Sequence, residues 1–287
     1  MTVLELLNRS THDLDGCKIE NPRLNAELLL AHSLNTNREG IYVRLYREMK
    51  EEEKERFENL TKRRISGEPL QYILGHQEFW SIDFKVDSRA LIPRPDTELL
   101  VEQALSVLSS YGEPLFALEI GTGSGAVAIS LAKEVKEIFL VATDISGEAL
   151  KLAKENAESL GLLDRIHFVN GNLFDPFRPF RDGGPFNLIL SNPPYLTSLE
   201  IGGLAREVKD YEPSIALDGG EDGLAFYRNM ISQAPVYLKK GGWLLLEVGQ
   251  GQAEGVSRFI EKKGDFLAPQ RFRDLSGIER VLKAQRK

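Results

Sequence analysis

Apolar positions change rhythm along this chain. Across residues 2–75 they recur at helical spacing, as in Val3-Leu4-Leu6-Leu7 and in Leu24, Leu28, Leu29 and Leu34, and predict a set of helices. Asn21-Pro22 reads as a helix start, and the charged stretch from Arg47 to Arg64 reads as a solvated helix face or as a face that docks a partner. The pattern breaks at Ser66-Gly67-Glu68-Pro69. Glu78-Phe79-Trp80-Ser81-Ile82-Asp83-Phe84-Lys85-Val86 then alternates as a hairpin does. In the following Leu91-Ile92-Pro93-Arg94-Pro95-Asp96-Thr97-Glu98 the prolines forbid helix until Pro95, and the acids suit the positive end of a helix through Leu99, Leu100 and Leu105.

From Phe116 onward the repeat is short apolar strand, turn, helix. Strands are expected at 116–120, 138–143, 166–169, 186–190 and 243–248, with helices at 126–133, around Leu150 to Ala157, at 224–238 and at 253–262. Two more strands, 270–275 and 279–284, join at Ser276-Gly277. Such short, β-favouring runs suit the buried strands of a parallel sheet, so the larger part of the chain is α/β. The expected division is a helical domain at 1–75, a β-hairpin linker at 76–95 and an α/β domain at 96–287.

Composition alters this picture little. The 287 residues are 42% hydrophobic and 28% charged, enough apolar material for a core that needs neither disulfides nor metal. A net charge of -7 weighs against nucleic-acid binding without removing it. No apolar run approaches the ~20 residues a bilayer requires, and the first residues lack a basic-then-apolar signal, so the expected location is the cytoplasm, away from membranes. Cys17 is the one cysteine, and no cluster suggests a metal site.

Chemistry concentrates at the strand ends. After Phe116-Ala117-Leu118-Glu119-Ile120 comes Gly121-Thr122-Gly123-Ser124-Gly125, whose glycines permit a sharp turn and close ligand approach ahead of a helix N-terminus. Its Gly-x-Gly-x-Gly spacing differs from the dinucleotide fingerprint, and Glu119 stands two residues before it. Asp144 closes the next strand, about 20 residues on, where an acid accepts both hydroxyls of a ribose. Loop and acid together indicate an adenosine-containing cofactor, with Gly171-Asn172-Leu173-Phe174-Asp175 as the adenine cover. His167, inside a strand, is read as structural. The run Phe186 to Leu190 is followed by Asn192-Pro193-Pro194-Tyr195, either a proline-stiffened turn or a methyl-acceptor clamp at the sheet's carboxyl edge. The turn-rich stretch 211–223 is a substrate loop or an acidic surface loop, and Arg94 a site residue or part of a rigid linker.

These features together resemble the class I S-adenosylmethionine-dependent methyltransferases, and among them the peptide chain release factor glutamine N5-methyltransferases. The resemblance runs nearly end to end, through Arg63-Arg64-Ile65-Ser66-Gly67-Glu68-Pro69-Leu70-Gln71-Tyr72-Ile73-Leu74-Gly75, the Leu91 to Glu98 stretch, the glycine loop and Asn192-Pro193-Pro194-Tyr195. It implies a helical substrate-docking domain before a Rossmann-like seven-stranded methyltransferase sheet with its last strand reversed. It further implies S-adenosylmethionine as cofactor and release factors as partners, with the glutamine of their Gly-Gly-Gln loop as acceptor. Cofactor contacts would come from Glu119, Gly121, Thr122, Gly123, Ser124, Gly125, Asp144, Asn172, Leu173 and Asn192. Asn172 stands where many relatives carry an acid. Asn192, Pro193 and Tyr195 would be catalytic, and Arg94 and Pro194 would join them in binding substrate. In that arrangement the Asn192 oxygen and the Pro193 carbonyl accept the two N–H groups of the acceptor nitrogen, and Tyr195 packs against the flat amide. Two rivals remain at this stage: a methyltransferase acting on an exocyclic amine of adenine or guanine in RNA or DNA, and a non-catalytic cofactor-binding scaffold.

Overall fold

The computed structural model describes residues 1–112, 114–181 and 183–287. It divides into two compact units, Met1–His76 together with Ala205–Tyr211, and Gln77–Leu204 together with Glu212–Lys287.

The first unit is helical: α1 (Val3–Gly16), α2 (Pro22–Ser33), α3 (Arg38–Tyr42), α4 (Glu51–Ile65) and α5 (Leu70–Leu74). Thr2 starts α1 with a reciprocal cap, its hydroxyl accepting from the Glu5 amide while the Glu5 carboxylate accepts from the Thr2 amide. Leu6, Leu7, Leu14, Leu29, Leu30 and Phe57 fill the core between α1, α2 and α4. The charges of α4 follow its dipole, with Glu51, Glu52 and Glu53 in the first turn and Lys62, Arg63 and Arg64 in the last. Arg64 departs from the solvated-face reading. It is buried, donates to the Asn25 side chain and the Glu68 carbonyl, and pairs with Glu207 at 2.5 Å, so a short stretch from the far side of the sequence completes this unit.

The second unit contains β1 (His76–Phe79, beginning one residue before it), β2 (Ile82–Lys85), α6 (Glu98–Leu108), β3 (Leu115–Ile120), α7 (Ala126–Glu134), β4 (Ile138–Asp144), α8 (Gly147–Ser159), β5 (Ile166–Asn170), β6 (Phe186–Ser191) and α9 (Ser198–Gly202). After α10 (Arg206–Lys209), which belongs to the helical unit, come α11 (Ala225–Gln233), β7 (Leu238–Glu247), α12 (Ala253–Lys263), β8 (Gln270–Arg273) and β9 (Glu279–Gln285). The sheet order is β5-β4-β3-β6-β7-β9-β8, parallel except that β9 runs against β7 and β8. This is the mixed seven-stranded α/β sheet expected, last strand reversed.

Alternate residues of the central strands serve opposite faces. Ala117, Leu188, Leu190 and Leu245 pack with Leu100, Val101, Ala128 and Leu131 of α6 and α7. Leu118, Ile120, Ile189, Leu244 and Leu246 pack with Tyr227, Met230, Val256 and Ile260 of α11 and α12. Every residue of β6 is buried, as a strand covered on both faces must be. The hairpin read from sequence as a linker contributes Phe79, Ile82 and Phe84 to the first of these cores.

One boundary differs from the expectation. The helix foreseen at 224–238 ends at Gln233, because Pro235 lacks the N–H that would continue it and a 3₁₀ turn takes over. β7 then begins at Leu238 opposite Phe186, loops out through Gly241 in the left-handed region (φ 75°), and resumes pairing at Trp243.

Candidate active site

The carboxyl ends of β3, β4 and β6 open into one cleft. Gly121, Thr122, Gly123 and Ser124 of the glycine loop line it, as do Glu119, Asp144, Asn172, Leu173, Asn192, Pro193, Pro194 and Arg94, whereas Gly125 does not.

The loop between β3 and α7 is held from both sides. The amides of Gly121 and Thr122 donate to the Thr143 carbonyl at 2.8 and 2.9 Å, which hooks the turn to the end of β4. Glu119 is buried beneath it, and its Oε2 accepts from the Thr122 hydroxyl at 2.6 Å and the Ala128 amide at 3.1 Å. Burial pushes this carboxyl up to about 7, against the pull of those two donors and with the nearby Asp144 adding to the rise. The three glycines have different reasons for being glycine. All have positive φ (75°, 57° and 84°), but a Cβ on Gly121 or Gly123 would meet nothing within 4 Å, whereas one on Gly125 would press on Ile129 at 2.9 Å and Ala153 at 3.1 Å. Gly121 and Gly123 present bare backbone to the cleft, and Gly125 lets α7 approach α8.

Asp144 uses one oxygen to accept from the Gly123 amide and the other to accept from the Ser146 amide, each at 2.9 Å. Each oxygen keeps a further lone pair for a ligand hydroxyl. Burial raises this carboxyl, with those amides pulling it back down. The Asp144 carbonyl accepts from the Gly171 amide, so the loop of Asn172 and Leu173 is tied to the same strand end. Leu173 takes a positive φ of 48°, unusual for its type, where the loop crosses the cleft.

On the other side, Asn192 leaves β6 and its Nδ2 donates to the Thr97 hydroxyl oxygen at 3.1 Å. Pro193 is buried. Tyr195 does not line the cleft. It packs into the core of α11 and α12, against Gly249, and its carbonyl accepts from the Gln252 side chain at 2.8 Å. Arg94 does line the cleft, with its guanidinium paired to the buried carboxylate of Glu212. Sequence reading passed over Thr97, Ile145, Phe226, Met230 and Ile92, which also line the cleft. Thr97 had a signal, lying in the stretch already singled out. Phe226 and Met230 are four apart on α11 and read as ordinary core spacing.

The same residues fit the group that an adenosine cofactor requires. Two unobstructed glycines, the half-buried Asp144 at the strand end and an exposed apolar Ile145 beside it form a cradle for backbone contact, ribose and base. Among the described residues no group of His, Cys, Asp and Glu could hold a metal ion, and no helix is long and apolar enough to cross a membrane.

Comparison with known proteins agrees with this geometry. A family model described as the PrmC N-terminal domain matches residues 5–75, and the methyltransferase small domain matches residues 96–207. The release factor glutamine methyltransferase of Geobacter sulfurreducens is 43% identical over 283 residues, covering 98% of this chain and 95% of that protein. This chain belongs to the release factor glutamine methyltransferase family. The family member from Moorella thermoacetica is 39% identical over 287 residues, 100% of this chain and 99% of that one. In fold, a methyltransferase from Pyrococcus furiosus superposes with a TM-score of 0.50 at 18% identity, over 79% of this chain and 98% of the other.

Proposed function

We propose that the chain transfers a methyl group from S-adenosylmethionine to the side-chain amide nitrogen of the glutamine in the Gly-Gly-Gln loop of class 1 peptide chain release factors, in the cytoplasm. The observation that carries this reading is that one cleft is lined both by the glycine loop with Asp144 and by Asn192 with Pro193. Family membership along the whole chain, helical unit included, supports a protein acceptor.

When bound, the cofactor supplies a methyl group on a sulfonium, already a good leaving group, so the protein's task is to hold a poor nucleophile in line. Asp144 would take the ribose hydroxyls, the backbone of Gly121 and Gly123 the amino-acid portion, and Asn172 and Leu173 the base. The Asn192 side-chain oxygen and the Pro193 carbonyl accept the two N–H groups of the glutamine amide. That orients its nitrogen and stabilises the positive charge growing there. Tyr195 contributes by bracing the turn, since its ring lies against Gly249.

The test is incubation with labelled methyl donor and, separately, release factor, tRNA, rRNA and DNA, followed by mass spectrometry of the labelled acceptor. Label on the release factor glutamine supports the proposal; label on a nucleic-acid amine, or on nothing, refutes it.

A further inference from the structure

An amide side chain has two unlike ends, one accepting and one donating. For Asn192 to receive an acceptor N–H, its oxygen must face the cleft and its NH₂ group must face the protein. The structure supplies a reason for that orientation. Ser191 pairs with Leu246, so Asn192, just beyond β6, comes beside Glu247, the last residue of β7. Thr97 lies in the turn before α6, and its hydroxyl oxygen accepts from Asn192 Nδ2 at 3.1 Å. Thr97 and Glu247 are 5% and 2% exposed. Thr97 borders the cleft and Glu247 does not, and the Glu247 Oε2 is buried with no hydrogen-bond partner.

We infer that Thr97 and Glu247 are positioning residues that fix the Asn192 amide with its oxygen toward the acceptor nitrogen, an inference that rests on the acceptor role proposed above. Both groups place oxygen behind the donor end of Asn192. With Glu247 ionised and taking the Thr97 proton, the Thr97 oxygen can only accept from Asn192, and reversing the amide would set its carbonyl oxygen against these lone pairs and leave its NH₂ group facing the NH₂ group of the substrate. Burial pushes the Glu247 carboxyl up, and the nearby Thr97 hydroxyl and Asn192 side chain pull it part of the way back. Arg280 of β9, Asp96 beside Thr97, and the phenols of Tyr195 and Tyr227 also face this carboxyl. Arg280 is itself paired at 3.0 Å with both Asp96 and Asp274, which leaves the Asn192 side of Glu247 to Thr97. Glu247 reaches the reaction only through Asn192, so its role is orientation and not proton transfer with substrate.

The experiment compares Glu247→Gln, Thr97→Val and Thr97→Ser in the full chain. Glu247→Gln can donate as readily as accept, and Thr97→Val cannot accept, so each is expected to lower kcat on the order of 10-fold or more, with cofactor Kd changed less than about 2-fold. Thr97→Ser should recover most of the turnover lost in Thr97→Val. Independently of activity, the side-chain NH₂ resonance of Asn192 in ¹⁵N-asparagine-labelled, cofactor-free protein, assigned by its loss in Asn192→Asp, should exchange slowly with solvent in the wild type and faster in Glu247→Gln and Thr97→Val. Unchanged kcat and unchanged exchange in both variants overturn the inference. So does a loss of kcat that Thr97→Ser does not rescue and that tracks a lower Tm and weaker cofactor binding, the mark of a merely structural role. A wild-type enzyme that labels no release factor refutes the function proposed above, and the exchange measurement then still decides the orientation.

Discussion

Arg94 and Glu212, 118 residues apart, meet in an ion pair 2.5 Å long whose carboxylate is 1% exposed. The same carboxylate accepts from the Ile92 amide, so it ties the proline-rich stretch before α6 to the segment carrying Pro213, Ile215 and Ala216. These two stretches form one wall of the cleft.

Arg94→Ala is therefore expected to loosen that wall. Removing one partner of a buried pair is costly, but the Arg94 side chain is 37% exposed, so the loss should be about 1–2 kcal/mol, below the buried-pair range. Denaturant titration measures it. The acceptor KM should rise several-fold while kcat changes less, and the reverse pattern would count against a wall-forming role.

Asn192→Ala should lower kcat on the order of 100-fold or more, the cost of deleting one preorganised polar group, while cofactor affinity by calorimetry changes little. Asp144→Ala should do the opposite. Two amide donors lose their acceptor, and if Asp144 holds the ribose as proposed, cofactor binding should weaken by about 1–3 kcal/mol.

The glycines of the loop between β3 and α7 should separate by phenotype. Gly125→Ala combines a left-handed backbone with contacts of 2.9 and 3.1 Å, so about 2–4 kcal/mol of stability should go, read from chemical denaturation. Gly121→Ala has the backbone strain without the clash and should cost about 1–2 kcal/mol. Its larger effect should be on cofactor affinity, because the methyl group stands where a ligand must approach.

Glu119 and Glu247 are both raised to about 7 from an ordinary 4.5. The folded protein thus holds protons that the unfolded chain has already released between these values, and stability must fall as pH rises across that window. Their contribution is full below about pH 4.5 and lost as pH climbs through 7. Between pH 5 and 8 the cofactor-free protein should lose roughly 1–3 kcal/mol for each group. Glu119→Gln and Glu247→Gln should each flatten the curve, and an unchanged slope would show that neither carboxyl is raised.

The strands, the glycine loop and the proline turn were legible because each is local: a short apolar run, a φ that favours glycine, a ring nitrogen that cannot donate. The reversed β9 came from resemblance, since periodicity carries no strand direction. What escaped were pairings across sequence. Thr97 stood in a stretch already marked for its prolines, and Glu247 lay within a strand already expected, but only the sheet order and the packing of the turn before α6 set them beside Asn192. Arg64 read as one charge among many, and its burial depends on Glu207, which lies 143 positions on in the numbering. The helix stop at Gln233 was signalled by Pro235 and outweighed by the apolar pattern around it.

The sheet order also has a consequence for how the molecule is made. β9 lies between β7 and β8, so β8 joins the sheet only through a strand that follows it in the chain. Until Glu279–Gln285 has left the ribosome, β7 keeps an open edge on the side away from β6, along Leu244, Leu245 and Leu246, with no strand to pair the backbone groups on that side. Arg280, which anchors Asp96, arrives with the same strand. Nascent chains halted before β9 should be sticky and unable to close the Asn192 side of the cleft, so assembly of the sheet is committed only once that strand has been made.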